Sequence, residues 1–161
     1  MKIIVCVLCL VLLLSGCKTL DFETISDQFI PLQETSASKM TVALPEDAIQ
    51  ISYHETGRLY CCEGYDMTME ILPSGDISQT IRELTGYPQD CLTVLETGSG
   101  ELDRYECSWI AAGEGSDQVG RTVILDDGNY HYAISVTACA EDAGSLQQVW
   151  QELLKSFSIQ S

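Results

Sequence analysis

Two periodicities organise this chain, after an opening stretch that has neither. Ile3 to Leu14 is unbroken apolar sequence behind Met1 and Lys2, about the length of an export-signal core and shorter than the roughly 20 residues of a spanning helix. From residue 39 a period of two takes over. Met40 to Leu44 predicts a first strand closed by Pro45, and Ile49 to His54 a second extended piece. Arg58 to Cys62 and Asp66 to Leu72 predict a hairpin around Glu63-Gly64, with Met67, Met69 and Ile71 alternating against Thr68 and Glu70. Four further extended stretches follow: Leu92 to Glu96, Glu101 to Ala111, Val119 to Leu125 and Tyr130 to Ala138. In the second of these Tyr105, Cys107, Trp109 and Ala111 share one face, and Arg104, Glu106 and Ser108 the other. The last two are joined by Asp126-Asp127-Gly128-Asn129, a tight-turn signal. Whichever pair turns, Val123 and Leu125 fall on the face of Tyr130, Tyr132, Ile134 and Val136, with His131, Ala133 and Ser135 opposite.

Helical spacing interrupts the alternation twice. Asp76, with Gln79 three residues on, predicts a capped helix whose buried stripe is Ile77, Ile81 and Leu84, and Gly86 ends it before Pro88. Ser145 and Gln148 have the same capping spacing, and Leu146, Val149, Trp150, Leu153, Leu154 and Phe157 then recur at three and four residues. This second helix is expected to lie on the sheet with Trp150 as its largest burial. Residues 39–161 therefore read as a single α+β domain, a central antiparallel β-sheet flanked by helices. Between it and the apolar run, Lys18 to Ser38 is rich in Ser, Thr, Asp and Glu around Pro31 and reads as a tether. Phe22, Ile25, Phe29 and Ile30 within it leave a short packed helix and disorder both open.

Charge narrows the choice of partners. The chain carries 24 Asp and Glu against 8 Lys and Arg, a formal charge of -16. Such a surface repels nucleic acid and anionic head groups, so no nucleic acid is expected among its partners, and a charged partner would be basic.

Leu14-Ser15-Gly16-Cys17 resembles the bacterial lipobox, a branched apolar residue and two small ones before the acceptor cysteine. The resemblance implies that residues 1–16 are a lipoprotein signal peptide, that Cys17 receives a diacylglyceryl thioether through its thiolate, and that residues 17–38 are the lipidated cysteine and acidic tether. The protein would then be held on the extracytoplasmic face of the cell membrane by the lipid on Cys17. Farther on, "KMTVALPEDA", "DISQTIREL" and the closing "GNYHYAISVTACAEDAGSLQQVWQELLKSFSI" resemble the PsbP-like group, which includes extrinsic photosystem subunits, a Ran-binding transport factor and DcrB-type envelope lipoproteins. That resemblance spans about Lys39 to Ile159. It implies a PsbP-like α/β/α sandwich with no shared catalytic set, whose members mostly bind partners or ligands.

The residues point to little chemistry of their own. There is no GxSxG, HExxH, P-loop or DxDxDG pattern, so no cofactor, metal or catalytic residue is assigned. Past Cys17 five cysteines remain, Cys61, Cys62, Cys91, Cys107 and Cys139, an odd number without CxxC spacing. If Gly98-Ser99-Gly100 is a three-residue hairpin loop, the ladder sets Cys91 directly opposite Cys107, at a separation that suits a disulfide. Tyr60, Tyr65 and Tyr87 stand near turns and are the tyrosines expected at a binding surface, where an aromatic body with a polar tip suits a protein or a carbohydrate partner. The reading that follows is a membrane-anchored, non-catalytic binding or assembly module. The alternative is a cell-surface hydrolase using carboxylates or a thiol, with Cys61-Cys62 as one source of a reactive group.

Overall fold

A computed structural model describes residues 36–99, 102–112 and 115–160. The apolar run, the lipobox with Cys17, and the helical spacing at Phe22 to Ile30 lie outside the described residues. Among the described residues nine strands and two helices follow in the order β1 (Lys39–Thr41), β2 (Ile49–Tyr53), β3 (Gly57–Cys62), β4 (Tyr65–Pro73), α1 (Ile77–Thr85), a 3-10 turn (Gln89–Cys91), β5 (Val94–Ser99), β6 (Leu102–Ala111), β7 (Gln118–Asp126), β8 (Tyr130–Cys139), α2 (Ala140–Ser156) and β9 (Ser158–Gln160). Seven strands form one antiparallel sheet in the order β2-β3-β4-β8-β7-β6-β5, and β1 pairs with β9 beside it. The α+β class and its central antiparallel sheet are those the alternation predicts. A helix lies on each face of the sheet, through two separate clusters of buried side chains.

The face under α2 is the main apolar core. Met67 lies opposite Val136 and Met69 opposite Ile134, while Val123 faces Ile134 and Leu125 faces Tyr132 from the other side. Onto this row α2 lowers Trp150, Leu153 and Leu154, with Trp150 wholly buried. A side chain of that size contributes about 3 kcal/mol or more on burial. Tyr65 meets the Trp150 ring edge-on at 6.2 Å. The face under α1 is smaller and more polar. Ile81 packs on Ile124 and Ala133, and around them Thr80, Thr122, His131 and Ser135 are buried and bonded to one another. Thr80 Oγ1 and His131 Nδ1 are 2.8 Å apart, Thr122 Oγ1 and Ser135 Oγ 2.9 Å, and Trp109 Nε1 donates to Thr122 Oγ1 at 3.1 Å. The hydroxyls and His131 Nδ1 thus regain partners on burial, which offsets much of the cost of removing them from water.

Both helices differ from their sequence signals in one detail. At α1 the Asp76 carboxylate accepts from the Ser78 N–H, as a cap should, but Gln79 donates forward to Glu83 instead of reaching back. Gly86 closes the helix at φ 80°, a left-handed conformation that strains any residue with a Cβ. α2 begins at Ala140, ahead of the Ser145 expected to cap it, and Ser145 donates to the carbonyl of Asp142 within the helix. Glu141 and Asp142 in the first turn favour the early start, because carboxylates there oppose the positive end of the helix dipole. Val149, expected in the buried stripe, is exposed on the outer side of α2.

The β7–β8 turn also ties down the backbone just ahead of β1. The Asp127 carboxylate accepts from the backbone N–H groups of Asn129 and Tyr130 and from the Tyr132 hydroxyl. The same hydroxyl accepts from the Ser38 N–H at 2.8 Å, immediately before β1. Partial burial works against ionisation of Asp127, but the donors outweigh it and hold the carboxyl below the usual range. A depressed pKa contributes stability that is present above about pH 4 and lost as pH falls through the folded-state value. Urea midpoints should therefore drop on acidification below pH 4, and Asp127→Asn should flatten that acid limb; an unchanged limb in the variant would place the titration elsewhere.

Gly120 on β7 lies opposite Trp109 on β6, and the indole ring crosses over its α-carbon so closely that no Cβ fits. Gly120→Ala should destabilise the fold by about 1–3 kcal/mol, the usual cost of overpacking. Urea unfolding of the single and double variants provides the check: the penalty should shrink when Trp109 is Leu, and an equal penalty in both backgrounds would show that the ring is not its cause.

Candidate functional site

The residues expected at a surface are mostly elsewhere. Tyr60 and Tyr65 are both buried, because the Glu63-Gly64 turn pairs Cys62 with Tyr65 and Tyr60 with Met67 and so puts both rings in the row of Met67 and Met69. Burial foremost, then the neighbouring Cys62, raises the Tyr65 hydroxyl above its ordinary range. That hydroxyl makes no hydrogen bond of normal geometry among the described residues, nor does Trp150 Nε1. Tyr87 is half-buried, with its hydroxyl donating to the Ile110 carbonyl at 2.6 Å. Tyr60 and Tyr65 are thus withdrawn from the expected tyrosine surface, while Tyr87 stays partly exposed.

The cysteine pairing depended on a register that does not form. Ser99 lies opposite Leu102, a pairing three positions out of the expected register, so Cys107 faces Val94. Cys91 ends the 3-10 turn before the ladder begins. Both are free thiols, Cys91 exposed and Cys107 buried. Desolvation pushes Cys107 up to about 11, and burial likewise raises Cys62, with the nearby Asp47 carboxylate adding to it.

What the sheet does expose is the β2 edge. β2 is an outermost strand and pairs with β3 alone among the described residues, leaving one line of backbone donors and acceptors unmatched. Ile49, Ile51 and Tyr53 stand out from it at 66%, 58% and 61% exposure, with Leu44 exposed just before. Ile51 is the extra residue of a bulge between Gln50 and Ser52, so three consecutive odd positions do not simply share a face. Tyr53 falls opposite Arg58, whose guanidinium sits 5.0 Å from the ring centre. That contact holds the ring at the strand end without covering it. Sequence alternation signals the strand but not its place at the edge, which depends on long-range pairing.

Two groupings of titratable side chains among the described residues bear on the hydrolase alternative. Thr80, His131 and Asp126 form a line, with His131 Nε2 3.3 Å from Asp126 Oδ2, in ion-pair range but off the hydrogen-bond axis. The imidazole is fully buried and Thr80 nearly so, so the line joins α1 to the β7–β8 turn and cannot meet a substrate. Asp47, Glu63 and Asp142 line an open depression of about 400 Å³ by the start of α2, where Asp47 accepts from the Glu63 N–H. Among the described residues no three His, Cys, Asp or Glu converge as metal ligands.

No protein-family profile matches this chain, and no curated protein sequence is similar to it. Solved structures share its fold at low identity. CyanoP, the cyanobacterial PsbP of Synechocystis, is 5% identical with a TM-score of 0.56 over 79% of this chain and 96% of its own. The Ran-binding protein Mog1p of Saccharomyces cerevisiae is 13% identical with a TM-score of 0.51 over 74% of this chain and 89% of its own. A protein of Bacteroides thetaiotaomicron is 14% identical with a TM-score of 0.53 over 76% of this chain. The chain spans 45% of that protein's length. At such identities the likeness is one of fold: the domain has the α+β fold of PsbP-like proteins.

Thiol burial makes the cysteine assignment measurable. In the folded protein at about pH 8, Cys61 and Cys91 should alkylate at least about tenfold faster than Cys62 and Cys107, since the thiolate is the reacting species. Non-reducing peptide mapping that recovers a Cys91–Cys107 cross-link would overturn the assignment.

Proposed function

We propose that this protein is an extracytoplasmic lipoprotein, held on the cell membrane through the lipid on Cys17, whose domain is a non-catalytic module that docks a partner protein along the β2 edge. The exposure of Ile49, Ile51 and Tyr53 on an outer strand with one open backbone edge carries the reading. An edge of that kind offers main-chain hydrogen bonds to an added strand and apolar side chains to fix its register. The bulge at Ile51 breaks the regular ladder, which discourages indiscriminate edge-to-edge pairing and favours a shaped partner. Carboxylates flank the strand at Glu46, Asp47 and Glu55, so the complementary partner is basic, and its binding weakens as salt screens charge over about 8–10 Å. A PsbP-like neighbour, Mog1p, is named for binding Ran, which is in keeping with a binding role on this fold.

The apolar run and lipobox support the anchor. Replacing Cys17 by Ala should abolish incorporation of labelled palmitate; undiminished labelling would rule the lipid attachment out. Docking is tested in intact cells with a photo-reactive amino acid placed at residue 51, 53 or, as control, 148 on the exposed side of α2. Adducts to a discrete protein are expected at 51 and 53 only. Equal adducts at all three positions, or none, would refute the edge as the docking surface. Turnover of a hydrolase substrate by the purified chain, lost on changing one Asp, Glu or Cys without unfolding, would promote the hydrolase instead.

A further inference from the structure

We propose that the α2 side of β6 and β7 holds a binding site for a small organic carboxylate with an apolar substituent, its head on Arg121 and Lys155 and its body along Leu95. In a chain of charge -16 with only eight Lys and Arg, three of the eight line one cavity of about 630 Å³. They are Arg104, Arg121 and Lys155, together with Gln151, Leu154 and Glu106. Two of the three have structural work to do. Arg104 Nε donates to Glu106 Oε1 at 2.7 Å and its NH2 group to the Leu154 carbonyl at 3.0 Å. That arrangement consumes the one carboxylate of the cavity and caps a carbonyl near the end of α2. Lys155 stands in the last turn of α2, where a cation is favoured by the helix dipole.

Neither reason applies to Arg121. It sits in mid-strand, opposite Ser108 on one side and Val136 on the other, and it is half-buried. Among the described residues neither Arg121 nor Lys155 forms an ion pair. Half-buried and with no protein acceptor among the described residues, the Arg121 guanidinium presents a planar fork of donors to the cavity, and the group that matches the fork is a carboxylate accepting two parallel hydrogen bonds. With Arg104 neutralised by Glu106, the cavity retains two cations for an anion to meet.

The neighbouring surface says what the anion is attached to. A second cavity of about 490 Å³ shares Arg121, Glu106 and Leu154 with the first and extends to Val123 and Leu95. Leu95 lies across from Glu106 on the outer strand and is 58% exposed, although most large apolar side chains of this face are covered by α2. A cationic end continuous with an apolar strip fits an amphiphilic carboxylate; inorganic phosphate would leave the strip unused. The site requires neither the lipid anchor nor the β2 edge, so it stands or falls separately from the docking reading.

The test uses the full chain in lipid nanodiscs, with leucine methyl NMR shifts as the readout and 4-methylpentanoate as the probe. Leu95 and Leu154 methyl signals should shift saturably, Leu154 serving as reporter where Leu95 is replaced. Binding should be at least about tenfold weaker for 4-methylpentanamide, which lacks the charge, and for acetate, which lacks the body. Arg121→Gln and Lys155→Ala should each weaken the probe by about tenfold, Arg121→Lys should retain more affinity than Arg121→Gln, and Leu95→Ala should weaken 4-methylpentanoate while leaving acetate unchanged. Lys155 is exposed, so its variant reports on the site even where a change at Arg121 disturbs the strand. Equal binding of the amide, phosphate binding as tight as the probe, unaltered affinity in both charge variants, or no saturable shift would each overturn the proposal.

Discussion

A strand covered by a helix on each side has no solvated row of side chains, and β7 and β8 are held in that position. Val123, Leu125, Tyr132, Ile134 and Val136 point toward α2, while Thr122, Ile124, His131, Ala133 and Ser135 are buried on the side of α1. Once both rows must be buried, any polar group among them has to find a partner inside. Hence the bonded pairs Thr80–His131 and Thr122–Ser135. The requirement relaxes outward through β4 and β6 and fails at β2 and β5. The large apolar side chains left in solvent on strands, at Ile49, Ile51, Tyr53, Leu95 and Ile110, lie on those outer strands or next to one, where recognition is possible without dismantling the core.

The same gradient explains what the sequence made legible. Central strands are long and strongly patterned, so the shared face of Val123, Leu125, Tyr132, Ile134 and Val136 follows from parity alone, as does the placement of His131 behind it. For Tyr60 and Tyr65 nearness to a turn and strand parity point opposite ways, and parity prevails. Tyr65 is in phase with Met67 and Met69, and a two-residue turn carries that phase across to Tyr60. The position of Cys91 is not set by spacing, because an outer strand begins and turns where long-range pairing allows, and Gly98 and Gly100 offer the loop two local choices. The position of β2 at the rim, and the convergence of Arg104 and Arg121 from the sheet with Lys155 from α2, are facts of tertiary assembly and leave no trace in spacing.

Charge shows how little a net value describes. The helix dipole of α2 sorts its neighbours, with Glu141 and Asp142 in the first turn and Lys155 in the last. Asp47 and Glu63 add to the acidic end, and Arg104 to the opposite one. Within a chain of formal charge -16, the two ends of α2 thus carry opposite local character, a carboxylate-lined depression at one and a cationic cavity at the other. Long-range steering follows the net charge, but what happens on contact is decided by the local sign.

Trp109 and Gly120 illustrate a different kind of dependence. The indole occupies the space a Cβ at position 120 would need, and donates to Thr122 on the way. In a diverging lineage the two positions therefore cannot change in either order. A smaller residue at 109 opens the space and frees position 120 to vary, whereas any side chain acquired first at 120 meets the ring. Descent through this pair runs one way out of the present state, and a lineage that had filled position 120 could regain the tryptophan only after returning to glycine.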